Sequence, residues 1–278
     1  MHEVAVSTWG KTTTLEAIER VLDAPGPLDV ETVESAGWQS PRGGLINLQN
    51  PKAAQLEDGP EPIAIYFHAI SHPSRGLFLV DTGVEQALTA EDHPLRQSEV
   101  GRAFGFGALQ AKTPLGSWLD HRDVSGVFLT HLHLDHVLGL PDVPLSTPVF
   151  VGPGETTLES AYHGLTQPAV DARLAGRPAL QEWHFDGAEA LDVFEDQSLF
   201  VLSSPGHTPG SVVFLARTKN GPVLFTGDTC HTAWGWQNGV EPGTFSHDLE
   251  ENAASLTMLR ELSVRHPGLA VRLGHQSI

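Results

Sequence analysis

The sequence contains one cysteine, Cys230, among its 278 residues. A single thiol cannot form an intrachain disulfide, and it excludes a cluster of thiolate ligands as a metal site. The shortage of cysteine fits a cytoplasmic protein, although a secreted protein without disulfides would have the same composition. Cysteine content therefore restricts the possible metal ligands, but it does not decide the cellular compartment.

Basic residues are also scarce, with 16 Lys and Arg against 34 Asp and Glu, which gives a formal net charge of -18. Surfaces that bind nucleic acid normally carry an excess of positive charge, so we expect no nucleic-acid partner. The negative charge also argues against polyanionic substrates.

Long hydrophobic runs are missing as well. No run approaches the ~18 apolar residues of a membrane-spanning helix, so we expect no membrane partner. The N-terminal stretch MHEVAVSTWGKTTTLEAIERVL has no basic start followed by an apolar segment, and we expect no export signal. These features together predict a cytoplasmic protein.

Short apolar runs rich in β-branched and aromatic residues are the main pattern in the chain, and they are typical of buried strands. They cover residues 63–70, 76–81, 126–130, 148–152, 199–204, 211–216, 222–228 and 269–274. Helical spacing is visible over residues 13–23 and 249–266, and Ser246 or Asp248 could cap the second helix. This order predicts two mixed sheets covered by helices, in one domain over residues 1–278.

The stretch FLTHLHLDHVLGL places four ionisable side chains between two apolar runs, and they are His131, His133, Asp135 and His136. A strand that ends at Thr130 would bring the chain to a sheet edge, where two histidines two residues apart point the same way. Four such groups at a buried strand end would be costly without a partner. Imidazole and carboxylate ligands together suit a borderline cation such as zinc.

Three further potential ligands follow predicted strands elsewhere in the chain. His207 follows LFVLSS, Asp228 ends PVLFTGD, and His275 follows LAVRLG. Residues at neighbouring strand ends can converge on one site at the edge of a sheet. A histidine-rich surface loop is the alternative for the first motif alone, since the chain has 15 histidines. The three additional ligands favour a metal site.

Taken together, these motifs resemble the metallo-β-lactamase superfamily. LVDTGV at residues 79–84 matches another signature of that family, and the resemblance covers roughly residues 60–278. It implies an α/β (α+β) fold, a four-layer αββα sandwich with a two-metal site between the sheet edges. The separations between the motifs are similar to those in the glyoxalase II and N-acyl-homoserine lactonase branches, and the lactonases match in size as well.

The resemblance also implies a role for each motif residue. Three histidines would hold one metal ion and a mixed set would hold the other, and the two sets are His131, His133 and His207, and Asp135, His136 and His275. Asp228 would bridge both ions through one carboxylate oxygen. Asp81, in LVDTGV, would lie behind the ligands and support the histidine loop.

The expected reaction is metal-dependent hydrolysis of an ester-like bond. Two divalent ions ~3.5–4 Å apart can activate a bridging hydroxide that attacks a carbonyl or phosphoryl centre. Ligands that are all nitrogen or oxygen favour zinc, with manganese, iron and cobalt as alternatives. Asp135 could carry the proton to the leaving group. A lactone of the acyl-homoserine-lactone type is the first candidate substrate.

His231 departs from the lactonase pattern. Lactonases typically have a tyrosine three residues after the bridging aspartate, where it donates a hydrogen bond to the substrate carbonyl. A histidine can donate the same bond with a different reach and pKa, so we predict a catalytic role for His231. The alternative is that His231 orients a metal ligand or the loop that follows.

Aromatic residues could form the walls of the site. Residues 24–60 and 83–120 are rich in glycine, proline and charge, and we expect long ordered loops or lids there. Phe104 and Phe106 could face the site from the second segment, although ordinary packing is the more common role. The candidate substrate-binding residues after Asp228 are Trp234, Trp236 and Phe245. Packing of their loop against the sandwich explains these three equally well.

Several alternatives remain for the reaction. An aryl-ester or phosphotriester hydrolase of the same fold would need the same ligands. A glyoxalase II-type thioesterase is not expected, because no helical domain follows His275. β-Lactamases usually have cysteine at the position of Asp228, and the charge of -18 disfavours a nuclease. A non-catalytic metal-binding protein would tend to have lost ligands. We expect a small ester or lactone as the substrate. The sequence does not decide between a monomer and a homodimer.

Overall fold

The computed structural model describes residues 2–157 and 161–278. The strands are β1 (Val4–Val6), β2 (Lys11–Thr13), β3 (Asp29–Pro41), β4 (Pro60–His72), β5 (Gly76–Val80), β6 (Gln110–Ala111), β7 (Val124–Phe128), β8 (Val149–Val151), β9 (Leu180–Glu182), β10 (Ala190–Asp192), β11 (Leu199–Ser203), β12 (Val212–Thr218), β13 (Gly221–Phe225) and β14 (Ala270–Arg272). The α-helices are α1 (Leu15–Leu22), α2 (Arg42–Leu45), α3 (Pro94–Gln97), α4 (Glu99–Ala103), α5 (Leu115–Leu119), α6 (Leu134–Val137), α7 (Ala161–Leu174), α8 (Ala233–Asn238) and α9 (Leu249–Arg265).

Within the described residues, the strands form two mixed sheets. The first has the order β1-β9-β8-β7-β5-β4-β3-β6, and the second has the order β14-β13-β12-β11-β10-β2. Strands β5, β7, β8 and β9 run parallel, whereas β10 to β13 form an antiparallel meander. Parallel strands end at a common edge, so the loops after β5 and β7 emerge side by side.

The two sheets pack face to face through an aromatic core. Phe78 on β5 and Phe128 on β7 stack with ring centroids 5.1 Å apart, and Phe128 stacks on Phe214 of β12 at 5.6 Å. On the outer face of the first sheet, apolar residues pack with those of α4, α5, α6 and α7. On the outer face of the second sheet, α1 and α9 contribute Ile18 and Leu259. The result is the predicted αββα sandwich, built by burying both faces of each sheet.

Every apolar run predicted as a strand is a strand, and both predicted helices are confirmed as α1 and α9. Asp248, not Ser246, caps α9, because its Oδ1 atom accepts a hydrogen bond from the backbone of Glu251 at 2.9 Å. No helix in the described part of the chain has both the length and the apolar character that crossing a bilayer requires.

The prediction of a loop over residues 24–60 is wrong for β3. The sequence DVETVESAGWQSP lacks a steady alternation of apolar and polar residues, because the pairing of β3 with β4 shifts register between Glu34 and Ala36. Segment 83–120 contains α3, α4, α5 and β6 as short elements over the first sheet.

Candidate metal centre

The histidine motif occupies the loop that leaves β7 at the edge of the first sheet. His133 is the N-cap residue of the short helix α6, with extended backbone angles (φ -69°, ψ 151°). Asp135 and His136 lie in the first turn of that helix. The side chains of His131, His133 and His136 are buried at this strand end, as the sequence predicts.

The other three predicted ligands come from the second sheet and meet the motif across the sheet edges. His207 follows β11, Asp228 follows β13, and His275 follows β14. The potential ligand atoms form two clusters, and within each cluster all atoms lie within 4.8 Å of one another. Asp228 belongs to both clusters, which are His131, His133 and His207, and Asp135, His136 and His275, each with Asp228.

One oxygen of Asp228 lies at the centre of this arrangement. Five imidazole Nε2 atoms surround its Oδ2 atom, those of His231 at 3.0 Å, His136 at 3.3 Å, His275 at 3.3 Å, His207 at 3.4 Å and His131 at 3.6 Å. The structure therefore brings the predicted bridging carboxylate and the ligands of both clusters together. His231 also faces the same oxygen.

The charges of the centre are strongly coupled. Burial raises the pKa of Asp228, but the imidazoles of His275, His136 and His231 outweigh this effect and hold that pKa well below its ordinary value. Burial lowers the pKa of His136, but Asp228, Asp81 and Asp135 hold it well above its ordinary value. Burial and the neighbouring imidazole of His133 keep the pKa of His207 well below its ordinary value, although Asp228 acts in the opposite direction.

Hydrogen bonds behind the ligands orient their rings. Asp81 Oδ2 lies 2.8 Å from His136 Nδ1, and Asp81 Oδ1 accepts a hydrogen bond from the backbone of Thr130 at 2.9 Å. Asp81 thus contacts both the histidine ring and the loop backbone. His275 Nδ1 donates to the carbonyl of Ala64 at 2.9 Å. Both histidines are left with Nε2 directed at the centre, which is the usual orientation of metal-binding imidazoles.

The donor set fits divalent cations. The buried Nε2 atoms of His131 and His136 and the Oδ1 atom of Asp228 have no hydrogen-bond partner among the described residues. Buried polar atoms without partners are costly, and two cations between these nitrogens and carboxylates would satisfy them. Each cluster offers four nitrogen or oxygen atoms, which matches the coordination that zinc prefers.

A cavity lies directly over the two clusters. Its described lining includes His133, Asp135, His207, Asp228, His231 and His275 on one side. The rest of the described lining is mostly apolar, and it consists of Trp38, Leu45, Ile63, Phe104, Phe106, Leu134 and Phe245, with Ser40 and Thr166. Phe104 and Phe106 therefore face the site, as one of the two interpretations of the sequence predicts.

The predicted substrate-binding residues divide into two groups. Phe245 lines the cavity, whereas the described lining contains neither Trp234 nor Trp236. Trp234 packs against the apolar cluster around Leu45, and Trp236 packs against the cluster that contains Leu256. Trp38 was missed because it lies on β3, in a segment predicted as a loop.

Comparison with known proteins agrees with this geometry. Residues 59–265 match the profile of the metallo-beta-lactamase superfamily. The N-acyl homoserine lactonase AttM of Azorhizobium caulinodans is 30% identical over 243 residues, which cover 82% of this chain and 88% of the relative. The corresponding lactonase of Agrobacterium fabrum is 27% identical with the same coverage. The chain therefore belongs to the metallo-beta-lactamase superfamily.

Solved structures show the same fold. A quorum-quenching N-acyl homoserine lactone lactonase superposes with a TM-score of 0.66 at 17% identity, covering 91% of this chain and 94% of that protein. AidC, a dizinc quorum-quenching lactonase, superposes with a TM-score of 0.60 at 17% identity, covering 90% of this chain and 88% of that protein.

Proposed function

We propose that the chain is a metal-dependent hydrolase with a dinuclear centre that cleaves an ester-like bond, with a lactone of the acyl-homoserine-lactone type as its substrate. The observation that carries this proposal is the convergence of two ligand clusters on Asp228, at one side of a cavity with apolar walls. Two relatives that are N-acyl homoserine lactonases support the choice of substrate.

In this proposal, each cluster would hold one ion, and Asp228 would be shared by both. Nitrogen and oxygen ligands favour zinc over softer metals, and manganese, iron and cobalt are the alternatives. The hydrogen bonds that His136 and His275 donate to Asp81 and to the carbonyl of Ala64 would fix the ligand rings before an ion binds.

Asp135 is the proposed proton carrier. When bound, a pair of divalent cations activates a water molecule for attack and stabilises negative charge on the substrate's carbonyl oxygen. Burial raises the pKa of Asp135, but His136 and His275 outweigh that effect and lower it to about 2. Asp135 is thus a carboxylate at neutral pH, so it can accept the proton of the attacking water and pass it to the leaving oxygen.

His231 is the proposed substrate contact. Its ring lines the cavity beside Asp228, three residues further along the chain. A substrate whose carbonyl carbon approaches the centre would place its carbonyl or leaving oxygen within reach of His231 Nε2. In the protonated ring, Nε2 is a donor, and its hydrogen bond to that oxygen would stabilise the charge that develops during attack.

The cavity walls favour an uncharged substrate. Its described lining contains no lysine or arginine, and its carboxylates belong to the ligand clusters. An anionic acyl group would therefore be desolvated there without a partner. Trp38, Phe106 and Phe245 offer apolar surface to a neutral acyl chain instead.

A hydrolysis panel on protein of known zinc content tests the function. We expect the highest kcat/KM for acyl-homoserine lactones, with lower values for aryl esters, thioesters and phosphotriesters, and no turnover by the metal-stripped protein. A higher kcat/KM for aryl esters or phosphotriesters would show that the substrate belongs to that class and is not a lactone. If the protein binds two ions but turns over no substrate of the panel, it is a non-catalytic metal-binding protein.

A further inference from the structure

Glu155 is a buried carboxylate that faces the ligand loops but supplies no atom to either ligand cluster. Its side chain follows β8 and is only 2% exposed. Its Oε2 atom accepts a hydrogen bond from the backbone of Leu132 at 2.7 Å. Its Oε1 atom accepts hydrogen bonds from the Thr208 hydroxyl and from the backbone of Gly210 at 3.0 Å. One carboxylate therefore joins two separate loops.

Those two loops carry the three histidines of one cluster. Leu132 lies between His131 and His133, and Thr208 directly follows His207. The two loops belong to different sheets, since one leaves β7 and the other leaves β11. The ring nitrogens of His133 and His207 are 2.9 Å apart, so a small relative shift of the loops would change the geometry of this cluster.

Close backbone packing fixes Glu155 against the second loop. A Cβ atom added to Gly210 would lie 2.3 Å from the carbonyl oxygen of Pro153 and 2.8 Å from Glu155 Oε1. A Cβ atom added to Gly152 would lie 1.6 Å from the carbonyl oxygen of Gly210. Only glycine allows this approach, so the turn that carries Glu155 and the loop after His207 form one packed unit.

All three partners of Glu155 donate hydrogen bonds to it, so the ionised carboxylate fits the site best. Burial raises the pKa of Glu155 to about 7, against the effect of these donors. A buried carboxylate is costly even when it is bonded, and a structural contact alone could be made by a neutral side chain. The three convergent donors indicate that the carboxylate holds the two loops in position relative to each other.

We infer that Glu155 is a positioning residue for the three-histidine half of the metal centre, where it fixes the spacing between the His131–His133 loop and His207. This inference rests on the proposed metal centre. Removal of a hydrogen-bonding partner behind metal ligands typically lowers metal affinity by about 10–100-fold. Glu155 contacts the backbone between His131 and His133 and the residue after His207, and these three histidines belong to one cluster. The larger loss should therefore fall on one of the two ions.

Glu155→Gln tests the inference with little change in volume. The amide must direct an N–H group either at Leu132 or at the pair of Thr208 and Gly210, so at least one hydrogen bond is lost. We expect wild type to retain two zinc ions per chain during dialysis against a graded chelator, while the variant falls to one ion at a 10–100-fold lower chelator strength. Elemental analysis and Co²⁺ absorption titration measure this.

Thr208→Val removes the partner of Glu155 on the other loop. It tests the same hydrogen bond if Glu155→Gln fails to fold. It removes the hydroxyl donor and should weaken the same ion, whereas Thr208→Ser should restore wild-type affinity. Asp192→Asn is the matched control, because Asp192 is another buried carboxylate and accepts a backbone hydrogen bond from Gln197 at 2.8 Å within the β10–β11 hairpin. It should lower thermal stability and retain both ions.

Wild-type stoichiometry separates the two proposals. If wild type holds two ions and both Glu155→Gln and Thr208→Val bind them with wild-type affinity, the positioning role is wrong and the proposed function stands. An equal loss of metal from Asp192→Asn would also overturn it, since the effect would then be general destabilisation. If wild type itself cannot hold two ions, the proposed dinuclear function fails together with this inference.

Discussion

The Nε2 atom of His231 lies 3.0 Å from Oδ2 of Asp228, closer than the Nε2 atoms of His136, His275, His207 and His131. On the other side of the ring, Nδ1 lies 3.3 Å from the carbonyl oxygen of Leu45. A carbonyl only accepts, so Nδ1 is the donor in this contact. The neutral ring then presents an acceptor to the centre, and the protonated ring presents a donor. A tyrosine at this position would present a hydroxyl.

His231→Ala should lower kcat/KM for lactones by roughly 10–1000-fold, the loss expected for one group that stabilises the transition state or transfers a proton. Zinc content should stay at the wild-type value. His72→Ala is a matched control, because His72 is also buried but pairs with Asp196 at 2.8 Å, away from the ligand clusters. Loss of zinc in His231→Ala would show instead that the ring orients a ligand.

His231→Tyr tests the same position from the other direction. If His231 contacts substrate, a tyrosine hydroxyl there should shift the ratio of kcat/KM values towards acyl-homoserine lactones over aryl esters. The ratio should be measured at matched zinc content, so that it reports substrate contact and not metal loss. An unchanged ratio would contradict a direct contact between this side chain and the substrate.

Asp228→Ala should nearly abolish activity and reduce zinc content, because the proposed bridge serves both ions and its removal leaves two close cations without their shared anion. Asp228→Asn keeps the shape and loses the charge, so it should show the same direction of change. Elemental analysis and lactone turnover measure both effects. Wild-type turnover at full zinc loading would show that Asp228 does not bridge the ions.

Gly274→Ala should displace the carboxylate of Asp228 while leaving that side chain itself unchanged. A Cβ atom at this position would lie 2.1 Å from Asp228 Oδ1, so Asp228 or the β14 loop must move. We expect weaker zinc binding, measured by chelator competition, and at least a tenfold loss of kcat/KM, since misplacement by ~1 Å can cost about 100-fold in rate. Gly268→Ala is the control, because a Cβ atom there meets nothing within 4 Å. Equal behaviour of the two variants would contradict this account.

The residues of the candidate metal centre could be proposed from sequence because each follows the end of an apolar strand, a local signal that a single sequence contains. The structure brings these residues together in two clusters. Glu155 carries no such signal, since its partners Leu132 and Thr208 are brought to it only by the packing of two sheets.

The cavity walls were harder to predict from sequence. Trp38 lies on β3, where the register shift hides the strand pattern. Trp234 and Trp236 were expected in a loop, but they lie on α8. Successive residues of a helix are about 100° apart around its axis. The side chains of residues i and i+2 therefore point to nearly opposite sides. That geometry sends the two tryptophans into different apolar clusters.

His68 should make the metal-free protein sensitive to acid. Its ring is buried against Phe225, with centroids 4.5 Å apart, and its Nδ1 atom lies 3.0 Å from the hydroxyl of Thr32. Burial lowers the pKa of His68 from 6.5 to about 3, and the positive charges of Arg272 and His136 act in the same direction. The folded protein therefore holds this ring neutral, while the unfolded chain protonates it below pH 6.5.

The sign of the effect follows from that depressed pKa. The contribution of His68 to stability is fully present above pH 6.5 and is lost as the pH falls towards 3, at up to about 1.4 kcal/mol per pH unit. His68→Asn removes the titrating group, so its free energy of unfolding should fall less steeply than that of wild type over this range. Denaturant unfolding of both proteins in excess chelator, at several pH values, measures the difference without bound metal. His121→Asn, at an exposed site, should follow the wild-type slope. Parallel curves for wild type and His68→Asn would show that the buried ring does not set the acid sensitivity.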